Sequence, residues 1–217
     1  MLPFSRDQFI AVFAEYNVAV WPVQVIAYLL GVGAIVLLLL RSHTHDRIIG
    51  GVLAAMWLWT GIAYHWLYFS SINKAAFVFG ALFVVQGLTF LLASVVRDPF
   101  RFGFPGGAIG WIGWALIVYA AVLYPLLGVW TGHTYPAMPM FGITPCPVTI
   151  FTFGLLLLTT APVSRWHLVV PFVWSLIGGS AAFLLAIPQD WVLLISGVVT
   201  TTLLVVRDRG RRQLPVA

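Results

Sequence analysis

Hydrophobic residues in this chain come in long runs separated by short polar breaks. Seven runs, at 18–40, 48–69, 75–96, 108–130, 148–163, 168–187 and 191–206, lie near the roughly 20 residues that cross a hydrocarbon core. Backbone amides in lipid must be satisfied within the segment, and a barrel would show period-two alternation, so each run predicts a helix. The expected fold is all-α and integral to a membrane, a single bundle of seven transmembrane helices over 1–217. Ahead of the runs, Ser5-Arg6-Asp7-Gln8 reads as a capping box opening a short helix over 4–16. Phe9, Phe13 and Tyr16 share one face of it, while Arg6, Asp7 and Glu15 suit a wet face. That pattern predicts an amphipathic interfacial helix. Gly106 and Gly110, Ser175 and Gly179, and Gly178 and Ala182 place small residues four apart, where helices approach closely.

Composition agrees with the pattern. Of 217 residues 61% are hydrophobic and 8% charged, against about a quarter charged in a soluble domain. A sequence pI near 9.8 would suggest nucleic acid in a soluble protein, but here the basic residues lie mostly in short breaks between apolar runs. Nine of the eleven (Arg41, Arg47, Arg97, Arg101, Arg165, Arg207, Arg209, Arg211, Arg212) fall on one side of a seven-helix topology, and Arg6 and Lys74 on the other. Lipid, not nucleic acid, is the expected partner, with the N-terminus outside and the C-terminus cytoplasmic. No cleavable signal peptide is read at the start. One cysteine excludes an internal disulfide.

Candidate chemistry gathers in the break 131–147, where Cys146, His133, Met138 and Met140 sit in a proline-rich loop. Pro145 and Pro147 remove backbone donors and disfavour helix beside Cys146, a setting in which binding sites of transporters are often built. His65 is the ionisable residue well inside a run, and two readings stay open for it. It is a relay or ligand, or it is an interfacial histidine bonded to a loop carbonyl. Thiol, thioether and imidazole groups together form a soft ligand set, so copper, zinc or mercury ions are the cofactors considered, with Cys146, His65, His133, Met138 and Met140 as ligands. Tyr64, His65, Tyr135 and Thr144 are the candidate solute-binding groups. A b-type haem on His65 and His133 ranks lower, because only His65 lies in a helix.

Absences narrow the classes. No Asp or Glu lies within the seven runs, which weakens ion-pump readings, and the seventh run has no lysine for a retinal. No phosphate loop, His-Glu-x-x-His or Gly-x-Ser-x-Gly is present, so no catalytic motif is found. The function expected is an outward-facing site for a soft metal ion or small solute, in a permease. The alternative is a structural or accessory subunit that docks a protein partner, or a second copy, at its outer face.

Four segments carry a family likeness. They are residues 1–9, the stretch Met56-Trp57-Leu58-Trp59-Thr60-Gly61-Ile62-Ala63-Tyr64-His65-Trp66, the stretch Gly142-Ile143-Thr144-Pro145-Cys146-Pro147-Val148-Thr149-Ile150-Phe151-Thr152, and residues 174–182. With these the chain resembles an uncharacterised bacterial multi-pass membrane protein family of unknown function (DUF6064). The resemblance implies a bacterial cytoplasmic (inner) membrane protein and supplies no reaction.

Overall fold

The computed structural model describes residues 3–95 and 100–213, with all their side chains except those of residues 181 and 211–213. Residues 1–2, Val96 at the end of the third run, Arg97, and the side chains of Arg211 and Arg212 therefore lie outside the described residues. Among those described there is no strand, only an isolated bridge between Phe102 and Thr159. The helices are α1 (Arg6–Ala19), α2 (Val23–Leu40), α3 (His43–Trp59), α4 (Ala76–Val95), α5 (Gly107–Val118), α6 (Tyr124–Trp130), α7 (Pro145–Leu157), α8 (Trp166–Leu184) and α9 (Trp191–Gln213). A π-helical stretch, Thr60–Tyr68, continues α3, and a second, Tyr119–Leu123, joins α5 to α6.

Hydrogen bonds sort the helix ends into two groups. At one end, Tyr16 of α1 donates to the Ile143 carbonyl before α7, and Arg6 donates to the Leu185 carbonyl after α8. At the other, the amide of Phe102 donates to Asp46 of α3, Arg207 of α9 donates to the Thr159 carbonyl after α7, and Arg47 donates to the Ser94 carbonyl of α4. We call these the α1 end and the arginine end. Arg47 and Arg207 close carbonyls that a helix terminus leaves without partners.

Among the described residues, six helices are long and apolar enough to cross a membrane: Val23–Leu40, His43–Ser71, Ala76–Val95, Gly107–Trp130, Trp166–Leu184 and Pro188–Gly210. Large apolar side chains such as Leu29, Leu39, Val78 and Val118 point outward from them, as lipid contact requires. Exposed tryptophans stand near helix ends, with Trp21, Trp130 and Trp191 at the α1 end and Trp111 and Trp166 at the other. Two tryptophan belts are how a membrane protein meets its interfaces. The chain is a helical membrane protein.

A shorter apolar helix, α7, has 13 residues, about 20 Å at 1.5 Å per residue, against a hydrocarbon core of about 30 Å. It is wrapped by the rest: every residue from 141 to 159 is buried. Trp57 donates to Thr152 from α3 at 2.8 Å, and a Cβ at Gly154 would lie 2.7 Å from Ile117 of α5. Non-helical backbone at membrane depth is tolerated when protein surrounds it, which lets a short helix serve here.

Two expectations need correction, and a third holds only for the runs. The prolines around Cys146 do not break the chain before a helix at 148. Pro145 and Pro147 are the first and third residues of α7, where the absent N–H groups have no intrahelical role. The short N-terminal helix has its capping box, Gln8 N–H to Ser5 Oγ and Ser5 N–H to the Gln8 side chain. Its apolar stripe, however, is spent on the bundle itself: Phe9, Val12, Phe13, Tyr16 and Asn17 are buried, and Phe13 stacks on Tyr64. The apolar runs are free of acid as expected, but the long helices extend past them and bury Asp46, Asp190 and Asp208 in the extensions.

Candidate functional site

A cavity of about 120 Å³ lies at the α1 end, between α1, the end of the first π-helical stretch, the start of α7, and α8. Its walls are mostly apolar, with aromatic rings from Phe4, Phe9, Phe13, Tyr64, Phe69, Phe79 and Trp174 beside aliphatic residues and prolines. Polar groups reach it from three elements, namely Cys146 in the first turn of α7, Asp190 just ahead of α9, and the Trp174 indole of α8. Partly exposed Phe4 and Asn73 and exposed Ser180 and Leu184 mark its mouth.

Both π-helical stretches aim residues at this region. The first carries Tyr64, which lines the cavity, and His65 behind it. The second leads into Tyr124, whose hydroxyl donates to Asp190 Oδ1 at 2.5 Å, and itself carries Tyr119, whose hydroxyl donates to the Gln189 carbonyl at 2.8 Å. A π-helical turn adds a residue to the helical repeat and re-aims the side chains beyond it, which is why such turns collect at functional sites. The Cys146 thiol lies beside Asp190, Tyr124 and Trp174. Asp190 thus meets a hydroxyl and a thiol, while among the described residues no Arg, Lys or His forms an ion pair with it.

His65 is fully buried, and neither ring nitrogen has a hydrogen-bond partner. Phe83 and Trp174 hold the ring at centroid distances of 4.8 and 5.1 Å. The reading of His65 as an interfacial histidine bonded to a loop carbonyl is therefore overturned. The Trp174 Nε1–H is likewise buried with no oxygen or nitrogen acceptor, only the Cys146 thiol beside it, and lies 3.1 Å from where a Cβ on Gly178 would stand. Leaving such groups unpaired costs about 1–3 kcal/mol each, so they mark a place where packing has yielded to something else.

The soft ligand set does not converge. His133 is committed elsewhere, since Arg6 donates to its Nε2 at 2.9 Å and Thr131 Oγ1 lies 3.2 Å from its Nδ1. An arginine has no acceptor, so Nε2 accepts and the ring is neutral, with its proton on Nδ1. Burial and the Arg6 charge both push its pKa below the usual histidine value. Met138 packs toward Gly128, its methyl 3.5 Å from where a Cβ there would sit, and its carbonyl accepts from Asn17. The Met140 carbonyl accepts from Thr144 Oγ1, and Tyr135 is half exposed with its hydroxyl 3.4 Å from the Asn17 carbonyl. Among the described residues no three of His, Cys, Asp and Glu stand in metal-holding geometry. Cys146 and Tyr64 line the cavity and His65 lies next to it, whereas His133, Met138, Met140, Tyr135 and Thr144 serve the packing of the 131–144 loop.

The sequence places Asp190 toward this face without drawing it into the candidate site, and it singles out neither Tyr124 nor Trp174. Asp190 sits in Pro188-Gln189-Asp190-Trp191, one residue outside the apolar run, where an acid reads as a solvated helix start. Its burial is a tertiary effect of Tyr124, 66 residues away.

No curated protein and no solved structure matches the chain. The sequence profile of a family of unknown function (DUF6064) matches residues 6–213, nearly the whole length, and the chain belongs to that family.

Proposed function

We propose that this protein crosses a bacterial cytoplasmic membrane seven times and binds a small solute at its outward-facing α1 end, as the entry site of a permease. The observation that carries the binding reading is the aromatic cavity with Cys146, Asp190 and the Trp174 indole, which has no oxygen or nitrogen acceptor, on its wall. Pockets of this kind, mostly apolar with a few convergent polar groups, are where small ligands bind. Seven crossings are supported by the helix ends, because α7 starts near the Tyr16 contact and ends near Arg207. Orientation follows from the basic residues grouped at the arginine end. Permeation is supported by further buried polar atoms without partners along the bundle, in Gln86 of α4 and Thr200 of α9. A soft metal ion is the weaker occupant, since His133, Met138 and Met140 are turned to packing and only Cys146 and His65 remain near the cavity.

The test uses protein in lipid nanodiscs and a library of small amphipathic compounds, read as shifts in thermal midpoint. Ser180→Trp places a bulky ring at the mouth from an exposed position. Compounds that stabilise the parent and lose their effect in this variant are expected. If none separates the two proteins, the cavity is packing space and the binding reading falls. Uptake of a hit into proteoliposomes then tests permeation.

A further inference from the structure

We propose that the ligand of this cavity is a small organic cation of the alkylammonium class, held among the aromatic rings and against the Asp190 carboxylate. The inference rests on the solute-binding reading above and names its substrate class.

Charge is the first argument. Asp190 is 2% exposed, and its donors are both neutral, the Tyr124 hydroxyl and the Cys146 thiol. A carboxylate offers about four lone-pair sites, and burying it costs several kcal/mol unless charge or several donors compensate. The other buried aspartates are compensated. Asp46 accepts from the Phe102 amide with the Arg101 charge nearby, while Asp208 accepts from the Val163 amide and pairs with Arg207 at 2.7 Å. Asp190 has neither a peptide donor nor a cation, and part of it faces the cavity. The missing partner is a positive charge that enters from outside.

The walls are the second argument. Phe9, Phe13, Tyr64, Phe69, Phe79 and Trp174 line the space, Tyr64 stacked between Phe13 and Phe69, and an aromatic ring carries the negative part of its quadrupole on its face. Such a box attracts a cation that sheds water easily, which favours an alkylated ammonium over a bare metal ion or a strongly hydrated primary amine. An apolar cavity of about 150 Å³ takes a benzene, so 120 Å³ suits a headgroup of similar bulk. An anion would meet Asp190, and a neutral hydrocarbon would leave it unpaired. The two basic groups nearest the mouth are already engaged with carbonyls, Arg6 with Leu185 and Lys74 with Ser70, and exposed Asp7 lies on the outer face of α1.

Choline and its uncharged isostere 3,3-dimethylbutan-1-ol separate charge from shape. Both are titrated by calorimetry into the full-length protein in phosphatidylglycerol nanodiscs. Choline should bind at least about tenfold more tightly than the alcohol. Asp190→Asn should bring the ratio close to one while keeping the acceptor for Tyr124. Phe79→Leu, a second variant at a half-buried ring, should weaken choline several-fold and leave the alcohol nearly unchanged. Equal binding of the two compounds to the parent overturns the cation and leaves the solute site standing. Binding of neither, with library hits still blocked by Ser180→Trp, also overturns the cation alone. No hit of any kind removes both readings. Replacing half of the phosphatidylglycerol by either phosphatidylethanolamine or phosphatidylcholine, so that surface charge stays equal, names the source: weaker choline binding with phosphatidylcholine marks a lipid headgroup as the natural occupant, and equal binding marks a free solute.

Discussion

The two ends of the bundle bury the same residue type and treat it in opposite ways. At the arginine end, Asp46 and Asp208 each accept a peptide N–H from a loop, and Arg207 both pairs with Asp208 and closes the Thr159 and Ala161 carbonyls. At the α1 end, Asp190 meets only a tyrosine hydroxyl and a thiol, next to an indole and an imidazole without oxygen or nitrogen partners and a cavity. Peptide donors hold a carboxylate to one geometry because the backbone cannot turn away. Side-chain hydroxyls and thiols rotate, and so allow exchange of partners. The first arrangement ties loops down; the second leaves acceptor capacity for something that comes and goes.

Breaking the structural end should have the largest effect. Asp208→Ala leaves Arg207 buried without its carboxylate and the Val163 amide without its acceptor, and we expect a loss of about 3–5 kcal/mol. Unfolding in mild denaturant, read by tryptophan fluorescence, checks it. A loss under about 1 kcal/mol would mean that the two ends do not differ as described.

At the α1 end the sign should reverse. His65→Leu removes two unsatisfied nitrogens from a ring cage, so we expect stability unchanged or raised by about 1 kcal/mol. A clear loss in the same assay would show that His65 supports the fold. Asp190→Asn should cost no more than about 1 kcal/mol, because the amide oxygen still accepts from Tyr124. The contrast between Asp190→Asn and Asp208→Asn, which loses a charged pair, sharpens the comparison within one chemistry.

The smallest effect concerns His133, the link between α1 and the 131–144 loop. Its folded pKa lies below the ordinary value near 6.5, so the folded state binds fewer protons than the unfolded one in that range. Stability from this contact is full above about pH 6.5 and is lost as pH falls below it. The thermal midpoint should drop on acidification, and His133→Gln should remove that part of the slope while the buried acids keep theirs. An identical pH profile for parent and variant would detach His133 from the docking of α1.

Much of this architecture is legible in the chain. The apolar runs, the capping box at Ser5 and the grouping of arginines are local or compositional signals, and the helices obey them. The motif-rich stretches around His65 and Cys146 do border the cavity. Proximity in sequence is the misleading signal. His133 and Met138 lie near Cys146 along the chain, yet each is claimed by a contact that no local pattern encodes: Arg6 for His133 and Asn17 for Met138. Cys146 instead sits beside Asp190, which reads as a solvated helix start, and Trp174, which lies 28 residues further along the chain.

By itself, the sequence determined a helical membrane protein, because hydropathy and the need to satisfy backbone groups in lipid act on each segment alone. Only the tertiary structure decided that α7 is a short, wholly enclosed helix, that α1 spends its apolar face on the bundle, and that Asp190 rather than His133 partners Cys146. Those outcomes depend on which surfaces meet between elements far apart in the chain. Side-chain identity sets what a residue can bond to, and packing sets which of those bonds remains unmade.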